Sequence, residues 1–264
     1  MKFCTLIFSF ISFSAAAQLS SGARLVAMGN AGVAMQDVWS LTSNQAGIAG
    51  FNKPMISAGY EQRFLDKDLS SQSLAIVFPI KKGVFGASFQ KYGISVFNEQ
   101  KVGISYARQF GSNLSLAING NFHQLKISSY GNANTFSTEI GIQYKLSKLL
   151  TIGGHIANPN RSNYNKELNV SVPVSMQLGF AYQISEQLLV VNTFDKTLGY
   201  ATDFKIGGEY KLIEWLSFRG GVSVNPFKQF VGVGFFHKHF IVDVATSSHA
   251  VLGYTPQLGL TYEF

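Results

Sequence analysis

The sequence contains few charged side chains, a single cysteine and no long uninterrupted apolar run. Asp, Glu, Lys and Arg make up 13% of its 264 residues, which is about half the share in an average soluble domain. No stretch approaches the roughly 18 consecutive apolar residues of a membrane-spanning helix. Aromatic residues nevertheless make up 14% of the chain, and phenylalanine occurs 23 times. This combination argues against a helical membrane protein and favours a membrane β-barrel, in which lipid-facing and lumen-facing residues alternate.

The lone cysteine, Cys4, lies in a stretch with the features of an export signal. Lys2 precedes the apolar run FCTLIFSFISFS, and Ala15 to Ala17 then offer a small-residue cleavage site. We expect cleavage after Ala17, so that residues 1–17 form a signal peptide and Gln18 begins the mature protein. The mature chain would then lack disulfides, and a closed hydrogen-bonded barrel would stabilise it instead. The alternative is a short buried strand or a membrane anchor.

The chain is basic, but its basic residues are dispersed. The formal net charge is +7, carried by 21 Lys and Arg residues, and no basic run is longer than a pair. Nucleic-acid binding would require clustered Lys and Arg beside exposed aromatic residues. We therefore expect no nucleic-acid partner, and we expect the basic loops to lie beside outer-membrane lipid headgroups.

From Met55 onward, apolar residues alternate with small or polar ones, as in strands with one apolar face. Phe78, Phe122 and Phe204 represent the apolar parity, and the other parity includes Ser115, Asn119, Gln177, Gly179, Lys205, Glu209 and Arg219. In a soluble sandwich the apolar face would be buried, whereas in a membrane barrel it faces lipid. We predict an all-β fold, a transmembrane antiparallel up-and-down barrel of about 14 strands (12–16) over residues 55–264. The predicted strands are 55–63, 71–79, 83–92, 98–108, 114–127, 134–144, 150–158, 172–182, 188–195, 203–210, 216–224, 229–236, 240–245 and 256–264.

The links between these segments differ in length. Compact turns follow Tyr144, Tyr182 and Tyr210, and these tyrosines suit an interfacial girdle. Longer polar links are predicted at 128–134, 158–172, 195–202 and 246–256. Short turns on one side and long loops on the other are typical of outer-membrane barrels. We therefore expect the outer membrane of a diderm bacterium, with both termini on the periplasmic side.

The last strand carries apolar side chains at alternate positions up to the final residue. Leu260, Tyr262 and Phe264 share one parity. An aromatic final residue on such a strand resembles the signal recognised by the barrel-assembly machinery of outer membranes. We expect these three residues to be that signal and the machinery to be a partner. The alternative is an edge strand of a soluble sheet.

Residues 18–54 do not alternate and are rich in glycine and alanine. Because a barrel of this size has a lumen too wide for its own side chains to fill, we expect this segment to pack inside as a plug. A disordered periplasmic leader is the alternative. The run GARLVAMGNAGVA and the later NQAGIA resemble the opening of the FadL superfamily of outer-membrane barrels, especially its PorV/PorQ branch, which is associated with type IX secretion. The residues that carry the resemblance include Met28, Gly29, Gly32, Asn44, Ala46 and Gly47, and Gln45 replaces the proline of the family motif.

This resemblance implies an accessory or binding component in protein secretion or surface attachment, with an envelope or secretion-system protein as its partner. The long links 158–172 and 246–256 would contact that partner. The alternative is a FadL-like channel for hydrophobic small molecules. Since the inward parity is polar rather than apolar, we expect weak binding of fatty acids.

Catalytic and metal-binding patterns are sparse. Ser248 and His249, with Asp243 nearby in the sequence, form the one cluster that suggests an outer-membrane enzyme, and nothing indicates a nucleophile held by a base. His237 and His239 offer two imidazoles without a third metal ligand. We expect no enzyme, no cofactor and no metal. We expect the charges of the inward parity to pair with one another or with the plug, namely Glu139, Lys205, Glu209, Arg219, Asp243 and Glu263.

Overall fold

A computed structural model, which describes residues 22–129, 131–165, 170–249 and 251–264, shows a closed antiparallel barrel of fourteen strands. Its strands are β1 Met55–Gln62, β2 Ser70–Ile80, β3 Gly83–Gly93, β4 Phe97–Phe110, β5 Leu114–Ile127, β6 Gly131–Lys145, β7 Leu150–Ala157, β10 Ser175–Gln183, β11 Leu188–Thr197, β12 Asp203–Ile213, β13 Leu216–Val224, β14 Phe227–His237, β15 Phe240–His249 and β16 Gly253–Glu263. Two short strands, β8 Asn163–Asn165 and β9 Val170–Ser171, pair with each other outside the barrel wall. The predicted fold class and strand number are confirmed.

Each barrel strand pairs with its neighbours in sequence, and β1 closes the ring by pairing with β16. The alternation in the sequence sets which face is inside. Phe78, Ile104, Ile118 and Phe136 point outward and are exposed, whereas Ser115, Asn119 and other residues of the polar parity are buried inside. In a membrane barrel this outward apolar band faces lipid.

The two ends of the barrel differ. One end, called here the turn end, carries the tight connections 81–82, 111–113, 146–149, 184–187, 214–215 and 238–239, together with Pro54 and Phe264. The three tyrosines Tyr144, Tyr182 and Tyr210 are exposed at this end, where an interfacial aromatic girdle would lie. The opposite end is called the loop end, and it carries the long connection between β7 and β10.

Two of the predicted long loops are strand rather than loop. β5 and β6 continue to a turn at Ser128 and Ser129, with Ile127 paired to Gly131. β15 and β16 likewise pair from Thr246 and Pro256 onward to the tip of the hairpin. The prediction of loops at 128–134 and 246–256 is therefore wrong. The residues beyond the apolar band are polar, but their backbone N–H and C=O groups still need hydrogen-bond partners. Pairing with the neighbouring strand provides these partners and so extends the ladder.

No helix among the described residues is long and apolar enough to span a membrane. The expected signal peptide, residues 1–17, and its cleavage site lie outside the described residues.

Residues 22–54, called here the inner segment, lie inside the barrel, except that their last residues, including Lys53 and Pro54, reach the rim at the turn end. They form a short helix α1 Ala23–Ala27 and two 3-10 turns, Val38–Thr42 and Gln45–Ile48. Leu25, Met28, Trp39 and Ile48 are buried in a cluster that includes the inward-facing Val77 and Val191 of the wall. The side chains that point inward from the wall are mostly small or polar, and they enclose an apolar segment. That this segment closes the lumen to solutes stays a prediction.

The C-terminal strand completes the ring beside the start of β1. The Phe264 amide donates to the Pro54 carbonyl at 3.1 Å, and the Glu263 amide donates to His239 at 2.9 Å. Leu260 and Phe264 are exposed on the outer face. The Tyr262 ring centroid lies 4.8 Å from that of Phe264 and 4.9 Å from that of Phe240.

Deleting Phe264 should lower the yield of folded barrel in the outer membrane, because the deletion removes the aromatic end of the expected assembly signal and its pairing with Pro54. The heat-modifiable band on unheated gels reports folding. A Phe264→Tyr variant keeps the aromatic ring and should fold like the unchanged chain. Equal yields with and without Phe264 would contradict the assembly role.

Candidate functional site: the occupied lumen

The inner segment touches the wall where the strands carry glycine. A side chain at Gly207 would overlap the backbone of Met28, and one at Gly221 would overlap the backbone at Met28 and Gly29. A Cβ on Gly153 would overlap the backbone of Val33, and Cβ atoms on Gly141 and Gly232 would overlap the side chains of Asn44 and Ala27. These close approaches require that no Cβ stands on the wall. The wall is thus shaped to the segment.

The residues of the resemblance motif lie in this segment. Met28 and Ala46 are buried, Gly29 has a φ of 71°, and Gly32 and Gly47 lie against Leu25 and Ser40.

The side chain of Asn44 joins the second 3-10 turn to the wall. Asn44 accepts from the Ala46 amide at 3.2 Å and caps this turn. Its Nδ2 donates to Val33 of the segment at 2.6 Å and to Ile142 of β6 at 3.0 Å. Gln45, which stands in place of the family's proline, donates to the Glu139 carboxylate at 2.5 Å. A proline there could not make that contact.

Arg24 joins the inner segment to a chain of charges on the wall. Its guanidinium donates to Asp37 at 2.7 Å within the segment and to both Glu209 oxygens on β12, at 2.8 and 2.9 Å. Glu209 also accepts from Arg219 of β13, and Arg219 reaches Asp243 of β15 at 2.6 Å. The Arg219 side chain is fully buried, with 0% exposure. Removal of one member of a chain of charges buried this deeply would leave an uncompensated charge, which is strongly destabilising.

A second polar cluster surrounds Glu139. Its carboxylate accepts from Lys101 at 2.8 Å, from Asn121 at 2.8 Å and from Gln45 at 2.5 Å, and His155 Nε2 lies 3.3 Å away. Of the six inward charges named from the sequence, Glu263 alone lies at the rim, where it pairs with the exposed Lys53 at 2.8 Å. Lys205 pairs with Asp195 at 2.7 Å.

The structure brings together a serine and a histidine that the sequence did not single out. His123 Nε2 lies 2.7 Å from Ser137 Oγ, and both residues are buried. Among the described residues, no carboxylate hydrogen-bonds to His123, so the pair lacks the third group that would orient a base. The two residues are close because of the register in which β5 pairs with β6. The local sequence does not encode that register.

The histidines named from the sequence are not brought into a site. His249 Nδ1 accepts from the amides of Val251 and Leu252 at 3.2 Å and so shapes the β15–β16 turn. Asp243 is six residues away along an extended strand, about 20 Å, and is paired with Arg219. His237 and His239 flank a tight turn, and no group of metal-binding side chains occurs among the residues that the structure describes.

At least three recesses, formed by residues that the structure describes, adjoin the inner segment. Two lie toward the loop end and share Asn30, Thr197 and Lys205. The first, of about 320 Å³, is bordered by the loops that follow β11 and β13. The second, of about 210 Å³, contains the clusters of Glu139 and His123. The third, of about 480 Å³, lies at the turn end beside Gln36 and Lys148.

Tyr164 of β8 contacts two of the residues that line the second recess, Glu99 and His123. Its hydroxyl donates to Glu99 at 3.3 Å, and its ring meets that of His123 edge-on at 6.3 Å. Burial, assisted by the Glu99 carboxylate, raises the pKa of Tyr164 above its ordinary value. The phenol therefore remains a hydrogen-bond donor.

No protein-family model and no curated protein matches this sequence. Solved structures do match the fold. The Ralstonia pickettii toluene transporter TbuX aligns with a TM-score of 0.74 and 15% identity over 94% of this chain and 99% of that one. The P. putida toluene transporter TodX aligns with a TM-score of 0.70 and 14% identity over 92% of this chain and 98% of that one. A Pseudomonas aeruginosa FadL homologue aligns with a TM-score of 0.64 and 12% identity over 94% and 98% of the two chains.

The chain therefore has the fold of FadL-type outer-membrane barrels. That part of the resemblance seen in the sequence is confirmed. The narrower assignment to the PorV/PorQ branch and to type IX secretion finds no support among these structures, which are transporters and channels.

Proposed function

We propose that this protein is an outer-membrane channel for small molecules with an apolar body, the function that the sequence analysis held as its alternative. The observation that carries the proposal is the match of nearly the whole chain, at TM-scores of 0.74 and 0.70, to barrels described as toluene transporters. The outward apolar band suits the outer membrane of a diderm bacterium, with lipid and the barrel-assembly machinery as its contacts. The proposed role is passage rather than catalysis.

The secretion-accessory role has less support. It rested on a motif of about thirty residues and on two long loops as the partner surface. One of those loops, 246–256, is a hairpin, so the expected partner surface is reduced to residues around 158–172. An envelope protein partner stays an untested alternative.

Expression in a diderm host tests the channel function, since the lipopolysaccharide leaflet slows the entry of hydrophobic solutes. The initial uptake rates of labelled toluene and p-cresol should rise in cells that carry the folded barrel. The test variant is Gly221→Leu, in which the new side chain has no room beside Met28 and Gly29 and displaces the inner segment. It should raise uptake relative to the matched control Gly120→Ala, whose added methyl meets open space.

The channel function would be contradicted if cells with the barrel took up every solute at the same rate as cells without it. Co-purification of one envelope protein in fixed ratio, together with unchanged uptake, would favour the secretion role.

A further inference from the structure

The first loop-end recess contains a lysine without an ionic partner. Lys228 lies near the start of β14 on the inward parity and is half-buried. Among the described residues, no carboxylate lies within 4.0 Å of its ammonium group, although Asp195 and Asp203 line the same recess. A cation in a partly buried wall is stabilised by an anion.

The neighbouring carboxylates are occupied elsewhere. Asp195 Oδ2 accepts from Lys205 at 2.7 Å and from Gln177 at 2.9 Å. Asp203 Oδ1 accepts from the amides of Val224 and Asn225 at 3.0 and 2.8 Å and so caps the β13–β14 turn. Within the described part of the chain, Lys228 is therefore a cation of this recess whose charge is not matched by a direct contact.

The same recess also contains unused hydrogen-bond acceptors. Asp195 is 5% exposed, and its Oδ1 has no hydrogen-bond partner among the described residues. The same holds for Oδ1 of Asn30, on the inner segment. Buried acceptors without a donor are costly. Both atoms are buried, so a bound molecule that donates a hydrogen bond to one of them, once that side chain turns toward the recess, would remove the cost at that atom.

Apolar and aromatic residues also line the recess, beside the polar Thr197, Ser223 and Asn225. Pro226 and Phe230 border the recess together with Tyr200 and Ala201. The volume of about 320 Å³ is roughly twice that of a 150 Å³ cavity that binds benzene. One substituted aromatic ring fits, and a long acyl chain does not.

We propose that this recess binds a small aromatic carboxylate that also carries a hydroxyl group, with its carboxylate at Lys228 and its hydroxyl directed to the free oxygen of Asp195. The inference rests on the proposed channel function and narrows its substrate class. A neutral hydrocarbon would leave the ammonium group of Lys228 and this acceptor desolvated without compensation. A hydroxylated aromatic acid satisfies both, since its carboxylate accepts from Lys228 and its one O–H donates to Asp195, while its ring packs on Phe230.

Calorimetric titration of the full chain in detergent tests the assignment with three probes of one shape. 4-Hydroxybenzoate carries both groups, benzoate lacks the hydroxyl, and p-cresol lacks the carboxylate. We expect the affinity to decrease in that order. Lys228→Met should weaken the binding of both acids at least about tenfold, as expected for loss of a charge-assisted hydrogen bond. The same substitution should leave p-cresol unchanged.

Lys81→Met is the matched control, because Lys81 is exposed in the turn between β2 and β3, outside the recess. It should bind all three probes like the unchanged chain. A heat-modifiable band establishes that each variant is folded, and Lys228→Gln replaces Lys228→Met if the latter fails to fold.

Equal affinity for 4-hydroxybenzoate and p-cresol would overturn the assignment, as would equal affinity of the Lys228 variant and the unchanged chain for the acids. These outcomes can be distinguished from a failure of the channel function. If cells take up toluene and p-cresol through the barrel but the barrel binds no acid, the substrate assignment falls and the channel stands. If no solute of either class is taken up, the channel itself falls.

Discussion

Removal of residues 22–50 should raise the single-channel conductance of the barrel severalfold in planar bilayers. The lumen of a fourteen-stranded barrel is wider than its inward side chains can fill, and here those side chains are largely small. Gly207 and Gly221 meet the backbone of the inner segment directly. Without the segment, these positions would border open water.

The full-length chain is the reference for that measurement, and Gly120→Ala is a substitution control that meets open space. Protease treatment of intact vesicles gives a second readout, in which residues 22–50 should be protected. Unchanged conductance together with rapid cleavage would show that the segment is a leader outside the lumen. If the deletion does not fold, Gly221→Leu in the complete chain displaces the segment and should raise conductance to a smaller extent.

Arg219→Ala should lower the free energy of unfolding by about 3–5 kcal/mol, as expected when one partner of a buried ion pair is removed. The substitution leaves Glu209 and Asp243 without the cation between them. Glu209 then has Arg24 as its remaining partner. Denaturant unfolding in detergent micelles measures the change. Fluorescence of Trp39 reports on the inner segment, and that of Trp215 on the wall.

The control pair lies at the rim. Lys53 and Glu263 are joined at 2.8 Å, but their side chains are 53% and 39% exposed. Exposed pairs contribute at most about 1 kcal/mol, so Lys53→Ala should have little effect. A loss from Arg219→Ala no larger than that from Lys53→Ala would mean that the buried chain of charges does not fasten the segment.

The strands and their faces could be predicted because alternation is a local property. Phe78 and Ser115 were assigned to opposite faces from their neighbours in the sequence alone, and the structure places them so. The predicted strand ends were less accurate where polar residues continue a ladder. Thr246 and Pro256 are paired, although their composition is typical of a loop.

The site could be predicted only in part because its contacts join distant residues. The inward charges were expected to pair with one another or with the plug, and the closeness of Glu209 and Arg219 follows from one hairpin register. Arg24, which lies 185 residues from Glu209, carries no local sign that it reaches that carboxylate. Lys101, Asp195 and the His123–Ser137 pair were missed for the same reason. Lys228 was not noticed because its feature is the absence of a partner, which only three-dimensional packing reveals.

The polar inward parity was interpreted as evidence against a channel for hydrophobic molecules. That argument treated the wall as the lining of an empty lumen. In the structure the inner segment covers much of the wall, and Met28, Trp39 and Ile48 face it from inside. The residues that a solute would meet are those of the recesses, where Phe230 and Pro226 stand beside charged groups. Wall composition alone therefore does not determine the substrate class.

Passage of solutes past the inner segment is tested most directly by fastening that segment to the wall. The Cβ of Ala23 lies 3.5 Å from the position that a Cβ on Gly259 of β16 would take, which is within the range for a disulfide. In host cells expressing Ala23→Cys with Gly259→Cys, p-cresol uptake should fall toward the level of cells without the barrel and recover after reduction. Each single-cysteine variant should take up p-cresol like the unchanged chain. Uptake that is the same in the oxidised and reduced double variant, with the disulfide shown to be formed, would contradict the account.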